Sequence, residues 1–170
     1  QYWTLLRAIR DRILAEHPNV HTTGRDGQHL PICDVELARL QVATGPMRRT
    51  MRHDARLYLC LGLGAGLTAR QMSRVRGTDI RTDLRAGEGR MTVAVRDAEG
   101  HVLRTVPVLA PFTPMLAGIA RHAGDAPALT GRGQNTSRRV ESIRVAFSLL
   151  DPHNLRPTPW RLRATWILVH

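Results

Sequence analysis

The sequence predicts a mainly α-helical domain that carries a small antiparallel β-sheet. Apolar residues recur at helical spacing over most of the chain, and the period changes to two between residues 90 and 108. No apolar run approaches the roughly 18 residues that a membrane-spanning helix needs. The chain has 170 residues, of which 42% are hydrophobic, so it is long enough to bury a core.

The helices follow from apolar periodicity and from start and stop signals. Asp34 is the expected N-cap of one helix, which the Gly45-Pro46 pair ends. Thr158 followed by Pro159 is a strong start signal, an N-cap with proline at the first helical position, for a last helix over 160–170. The other helices are expected over residues 2–16, from near residue 49 into the apolar run 57–67, and over 70–75, 111–122 and 136–150.

The strands are expected over residues 90–96 and 101–108, where apolar and polar residues alternate. The segment Asp97-Ala98-Glu99-Gly100 between them has the composition of a turn. Two strands joined by so short a segment form an antiparallel hairpin.

The charge is strongly positive and comes from one residue type. All 25 basic residues are Arg and none is Lys, against 14 acidic residues, for a formal net charge of +11. Codon usage in a GC-rich genome explains the choice of Arg but not its excess, which is typical of a protein that contacts phosphates. Without Lys, the chain has no lysine for general acid or Schiff-base chemistry.

Generic enzyme and metal motifs are weak. His17, His21, His29 and Cys33 lack the spacing of a zinc site, and no serine stands in a hydrolase motif. We therefore predict no metal and no small-molecule cofactor. The two cysteines, Cys33 and Cys60, stand alone in unlike contexts, which predicts free buried thiols in a reducing compartment.

One glycine-rich segment has two interpretations. Gly64-Ala65-Gly66-Leu67-Thr68-Ala69 matches the relaxed dinucleotide pattern GxGxxA, with Asp83 or Glu88 as the ribose-binding acid. A hairpin follows instead of a parallel strand, which disfavours that interpretation. The alternative is the end of a helix that begins near Arg49 and stops at its glycines.

Arg163 lies among large apolar residues of the last predicted helix. Trp160 precedes it by three positions, and Trp166 and Ile167 follow it by three and four. A guanidinium held there is paired with a carboxylate or directed at a phosphate; alternatively, its stem covers the tryptophan faces at the surface. The spacing alone does not choose between them.

Three segments together resemble the catalytic domain of the tyrosine recombinases (phage-integrase family). Residues 61–80, LGLGAGLTARQMSRVRGTDI, are similar to the family's box TGLRxSELxxLxxxDI. Residues 104–108, RTVPV, are similar to its R-x-V-P-L strand, and residues 158–166, TPWRLRATW, to TPHxLRHTF. Order and spacing agree from about Leu30 to the last residue.

The resemblance implies a tyrosine-recombinase-like fold and DNA strand exchange, in which a Tyr attacks a phosphodiester that two Arg and a His hold. Arg163 matches the second of those arginines. Thr68 aligns with the first, Gln71 with the acid of the box and Trp160 with the His, and no Lys is present to protonate the leaving oxygen. Arg70 is a weak substitute because two positions rotate it about 200° around a helix.

These observations predict a DNA-binding, integrase-like pseudoenzyme that has lost strand cleavage. Two alternatives stay open: an active recombinase that uses substituted residues and a Tyr beyond His170, and an integrase-like scaffold for protein–protein assembly. Whether the chain is an enzyme, and whether it self-associates, is therefore undecided. Beside Arg163 and Arg70, the predicted phosphate-contacting residues are Arg48, Arg49, Arg52, Arg74, Arg76, Arg104, Arg138, Arg139 and Arg161.

The expected partner is double-stranded DNA and not a membrane. The expected location is the cytoplasm, for a protein encoded by a bacterium or a phage. Residues 1–30 are interpreted as an N-terminal helix and linker, the remnant of a preceding domain. Residues 31–170 are interpreted as the integrase-like domain, incomplete at its C-terminus.

Overall fold

The structure is a computed structural model that describes residues 31–83, 90–130, 136–150 and 156–169. The helix predicted over residues 2–16, with the linker after it, lies outside the described residues. Within them, the chain is mainly helical with one antiparallel sheet. The α-helices are α1 (Asp34–Ala43), α2 (Arg49–Leu59), α3 (Ala69–Met72), α4 (Thr113–Ala123), α5 (Thr136–Leu150) and α6 (Pro159–Val169), and the strands are β1 (Ile80–Asp83), β2 (Arg90–Arg96) and β3 (Val102–Pro107).

The prediction of a mainly helical chain with a small antiparallel sheet is confirmed, and the sheet has one strand more than expected. Strands β2 and β3 form the predicted hairpin, in which Val93 lies opposite Val106. The additional strand, β1, pairs antiparallel with β2 and places Ile80 opposite Val93. Side chains of these three residues are buried, so one face of the sheet closes the core.

The first described helix starts one residue earlier than predicted. Cys33, with extended backbone, is the N-cap of α1, and Asp34 is the first helical residue. The Glu36 carboxylate accepts a hydrogen bond from the Cys33 amide at 3.0 Å. The expectation that Asp34 caps the helix was therefore wrong: the side chain of the third helical residue reaches back to the N-cap amide.

The apolar run 57–67 packs at the centre of the molecule. Helix α2 continues into a π-helical turn over Cys60–Gly64, and every residue from Leu57 to Leu67 is buried. A Cβ added at Gly62 would lie 2.5 Å from Leu162 Cδ1, and one at Gly66 would lie 2.4 Å from Trp166 Cε3. The glycines thus let α6 approach the turn more closely than any side chain permits.

Substituting Gly66 is expected to be costly for two separate reasons. Its φ is +61°, which L-residues rarely adopt, and its missing Cβ makes room for Trp166. We expect Gly66→Ala to lower the free energy of unfolding by about 2–4 kcal/mol, measured by urea denaturation. Gly100, with φ +91° and open space around it, is the control: Gly100→Ala should cost only about 1 kcal/mol. Equal losses would contradict the packing role of Gly66.

Both cysteines are free, as predicted, but the prediction that both are buried is wrong for Cys33. Cys33 is half-buried, whereas Cys60 is buried among apolar residues, and this burial raises its pKa to about 12. At pH 8 roughly one Cys60 thiol in ten thousand is then ionised. We expect iodoacetamide to modify Cys33 first and Cys60 only after unfolding, as followed by mass spectrometry of the intact protein. Modification of both at similar rates in the folded protein would contradict this.

No helix in the part of the chain that the structure describes is long and apolar enough to cross a membrane.

Candidate nucleic-acid interface

Arg163 lies on α6 between residues that fix this helix to the core. Leu162 packs against Gly62 of the π-helical turn, and Trp166 packs against Gly66, which follows the turn. Arg163 itself is half-buried, and its side chain forms no hydrogen bond or ion pair with any described residue. The interpretation in which a protein carboxylate neutralises it therefore finds no support in the described part of the chain, and its guanidinium remains available to a phosphate.

The α6 helix begins as the sequence predicted. Pro159 is its first residue, and the Thr158 hydroxyl accepts a hydrogen bond from the Arg161 amide at 3.2 Å. Trp160, which takes the position of the family's His, is 58% exposed. An indole N–H can donate one hydrogen bond but cannot accept a proton, so Trp160 lacks the acid–base chemistry of an imidazole.

Thr68 and Gln71, which align with the Arg and the acid of the family's box, cap a helix. The Thr68 amide donates to Gln71 Oε1 at 2.9 Å, and the Gln71 amide donates to Thr68 Oγ1 at 3.4 Å. This reciprocal capping starts α3. Arg70 is exposed and Arg74 half-buried, four positions apart, and neither side chain has a polar partner among the described residues.

Arg161 has a structural partner. It is buried, and its Nη2 donates to both oxygens of Glu36, at 2.7 and 2.9 Å. One turn later, Thr165 Oγ1 accepts a hydrogen bond from the Ile32 amide at 2.7 Å. These bonds hold the start of α1 against α6, so the Arg161 guanidinium is occupied within the protein.

Arg139 is occupied in a second buried cluster. Its Nε donates to Asp54 Oδ2 at 2.6 Å, and the Asp54 carboxylate is fully buried. The amide and hydroxyl of Thr130 also donate to this carboxylate, at 3.0 and 2.8 Å. The cluster joins α2, α5 and the segment between α4 and α5, and the Arg139 guanidinium is occupied within it.

Arg76 takes part in a partly exposed network. It pairs with Asp125 at 3.0 Å, and this contact lowers the pKa of the Asp125 carboxyl below its usual value. Its amide donates to Asp79, a buried carboxylate that also accepts from Arg96 Nε at 2.8 Å. Asp79 therefore orders the segment that leads into β1.

The remaining predicted arginines lie on several elements. Arg48 and Arg49 are exposed at the start of α2 and Arg104 is exposed on β3, and none of their side chains has a polar partner among the described residues. Arg52 is half-buried and donates to the carbonyls of Gly45 and Met47, and these bonds fix the loop before α2 to that helix. Arg138 is exposed in the first turn of α5.

The dinucleotide interpretation does not match the geometry of its segment. The glycines belong to a buried helical turn, and a Cβ at Gly64 would lie 2.8 Å from Phe112. The pattern requires a strand and then an open glycine loop facing a pyrophosphate. The helix-end interpretation is confirmed.

No cluster of three or more metal-ligating residues occurs among the described residues; His17, His21 and His29 lie outside them.

A cavity that the sequence did not indicate lies beside α2. It has a volume of about 510 Å³ and is lined by α1, α2, the turn at 110–112 and the start of α4. Its walls are mostly apolar, and Arg56 is the cation in its lining. A second cavity of about 430 Å³ shares Met115 with it. A hint in the sequence is that Arg56 stands directly before the most apolar run of the chain.

No protein-family model and no curated protein matches this chain.

Proposed function

We propose that the chain is a degenerate tyrosine-recombinase-like domain that binds double-stranded DNA through arginines and does not cleave it. The family assignment rests on the three sequence segments, which run in the family's order. The proposal includes a tyrosine-recombinase-like fold, which is more specific than a mainly helical domain with an antiparallel sheet.

The observation that supports DNA binding is a set of arginines whose side chains have no polar partner among the described residues. In a chain with a net charge of +11, one group of arginines forms buried or surface ion pairs, and another group forms none with any described residue. Unpaired guanidiniums repel one another, and bringing them to a polyanion relieves that repulsion and releases counterions. The arginines proposed to contact phosphates are Arg48, Arg49, Arg70, Arg74, Arg104 and Arg163.

Loss of cleavage is supported by the side chains at the matched positions. Thr68 carries no charge and serves as a helix cap, Trp160 cannot exchange a proton, and the chain has no Lys. Transition-state charge on a phosphoryl group is stabilised by positioned cations, and removing one member of such a set typically costs orders of magnitude in rate. Binding without chemistry is the function that survives these replacements.

A salt titration tests binding separately from chemistry. We expect a fluorescent duplex of about 30 base pairs to bind with an association constant that falls steeply with salt, with a slope of about −4 to −6 on logarithmic axes. The sequence of the duplex should matter little. No duplex affinity at 20 mM salt would overturn the proposal. A covalent adduct on a nicked suicide substrate would instead favour the active-recombinase alternative, with Arg70 and Arg163 as its phosphate clamp.

A second candidate function is protein–protein assembly, which the apolar outer faces of two helices favour. Val145 and Leu149 are 48% and 79% exposed on α5, and Trp160 and Ile167 are 58% and 53% exposed on α6. Exposed apolar groups at helical spacing are typical of contact surfaces. Sedimentation equilibrium separates the two functions: a stable oligomer whose formation is independent of salt, with no DNA affinity, supports assembly.

A further inference from the structure

The cavity beside α2, called the α2 cavity below, has the composition of a small-molecule site. Its lining includes apolar residues, one cation and two polar residues: Leu37, Leu59, Cys60, Phe112 and Met115, then Arg56, then Gln41 and Thr44. Its volume of about 510 Å³ falls within the range of pockets that hold a drug-sized ligand. Apolar walls with a few polar groups at fixed places are typical of such pockets. None of the arginines proposed to contact DNA lines this cavity, so it is a separate feature of the molecule.

The charge in the cavity is of one sign. Among the described lining residues there is no carboxylate, and Arg56 is the cation. Its Nε reaches Thr44 Oγ1 only at 3.4 Å, a long hydrogen bond, and its terminal nitrogens have no described partner. A guanidinium offers two parallel N–H donors that match the two oxygens of a carboxylate. The complement of this cavity is therefore an apolar body with one anionic end.

The cavity also has room for an extended tail. Met115 lies between it and the second cavity of about 430 Å³, whose lining is largely apolar and includes Ile119 and Ala123. Methionine side chains are flexible and rearrange easily around a ligand. An unbranched chain that enters beside Arg56 can thus continue past Met115 and gain burial with each methylene.

We propose that the α2 cavity binds a medium-chain aliphatic carboxylate, with the carboxylate on Arg56 and the tail along Phe112 toward Met115. This site is independent of the DNA surface and does not require the family assignment.

The wild-type protein, titrated with acids of increasing length, tests the proposal. With hexanoate, octanoate and decanoate, all below their micelle concentrations, calorimetry should give affinities that rise about three- to fourfold for each added methylene. Decanol, which has the same tail and no charge, should bind at least tenfold more weakly than decanoate. Equal binding of decanol and decanoate, or no dependence on length, would overturn the proposal.

Methionine methyl NMR locates the ligand. In protein labelled at the methionine methyl carbons, decanoate should shift the Met115 resonance, assigned with a Met115→Leu variant. Met72 and Met91, buried elsewhere in the core, should not move. Shifts of Met72 and Met91 equal to that of Met115 would indicate general loosening of the core and would count against the site.

A matched pair of variants isolates the cation. Arg56→Gln should lower decanoate affinity at least tenfold and leave decanol binding unchanged. Arg39→Gln, on α1 at an exposed position outside the cavity lining and outside the proposed DNA set, should leave both unchanged. If Arg56→Gln and Arg39→Gln affect decanoate equally, the carboxylate is not bound by Arg56 and the proposal is wrong.

Discussion

Replacing Asp54 with Ala is expected to lower the free energy of unfolding by about 3–5 kcal/mol, the largest loss that we predict for a single substitution. The fully buried carboxylate receives hydrogen bonds from Arg139 and from the amide and hydroxyl of Thr130. Removing it leaves these donors without their acceptor, and the Arg139 side chain is only 18% exposed. Urea denaturation followed by circular dichroism measures the loss.

A double-mutant cycle separates the ion pair from the rest of this cluster. Arg139→Met alone leaves the Asp54 charge buried and should also destabilise, whereas the double variant should lose less than the sum of the two single variants. Glu141→Ala is the control, because the Arg144–Glu141 pair lies on the surface of α5 and should contribute less than about 1 kcal/mol. Additive losses would show that Asp54 and Arg139 do not interact.

The second large effect is expected on DNA affinity. The variant with Arg48, Arg49, Arg70 and Arg74 replaced by Gln should bind a duplex with a salt slope less steep by about 3–4 units, provided that each arginine neutralises one phosphate. Extrapolated from 1 M salt, where counterion release contributes little, that change corresponds to roughly a thousandfold weaker binding at 0.1 M. Fluorescence anisotropy across a series of salt concentrations provides both quantities.

Two double variants of equal charge show whether position matters. Arg39 and Arg121 are exposed and have no described partner, like Arg70, but they lie outside the proposed set. Arg39→Gln with Arg121→Gln should change the salt slope far less than Arg70→Gln with Arg74→Gln. Equal changes would mean that net charge alone attracts DNA, and the assignment of these arginines to an interface would fail.

Local signals in the sequence were sufficient for most helices. Thr158 and Pro159 start α6 at the predicted residue, because capping involves only neighbours in the chain. Helix α5 matches its predicted bounds for a similar reason: its buried residues Val140, Ile143 and Phe147 recur at helical spacing. The short strand β1 was missed because four residues are too few to show an alternating pattern, and its pairing depends on β2.

The roles of individual arginines could not be predicted in the same way. Arg161 and Glu36 are 125 residues apart in sequence, so nothing near Arg161 indicates that it will be buried and paired. Arg161 and Arg163, two positions apart on one helix, have different surroundings because α6 turns by about 200° between them. Periodicity can assign a residue to a face, but the neighbour that covers that face comes from tertiary packing.

The close contact between the glycine turn and α6 has an evolutionary consequence. Gly62 faces Leu162 and Gly66 faces Trp166, each across a gap too small for a single methyl group. A larger residue at either glycine position can be accommodated only if the facing side chain becomes smaller at the same time. In related sequences these two pairs should therefore covary: 62 with 162, and 66 with 166, each conserving its summed volume.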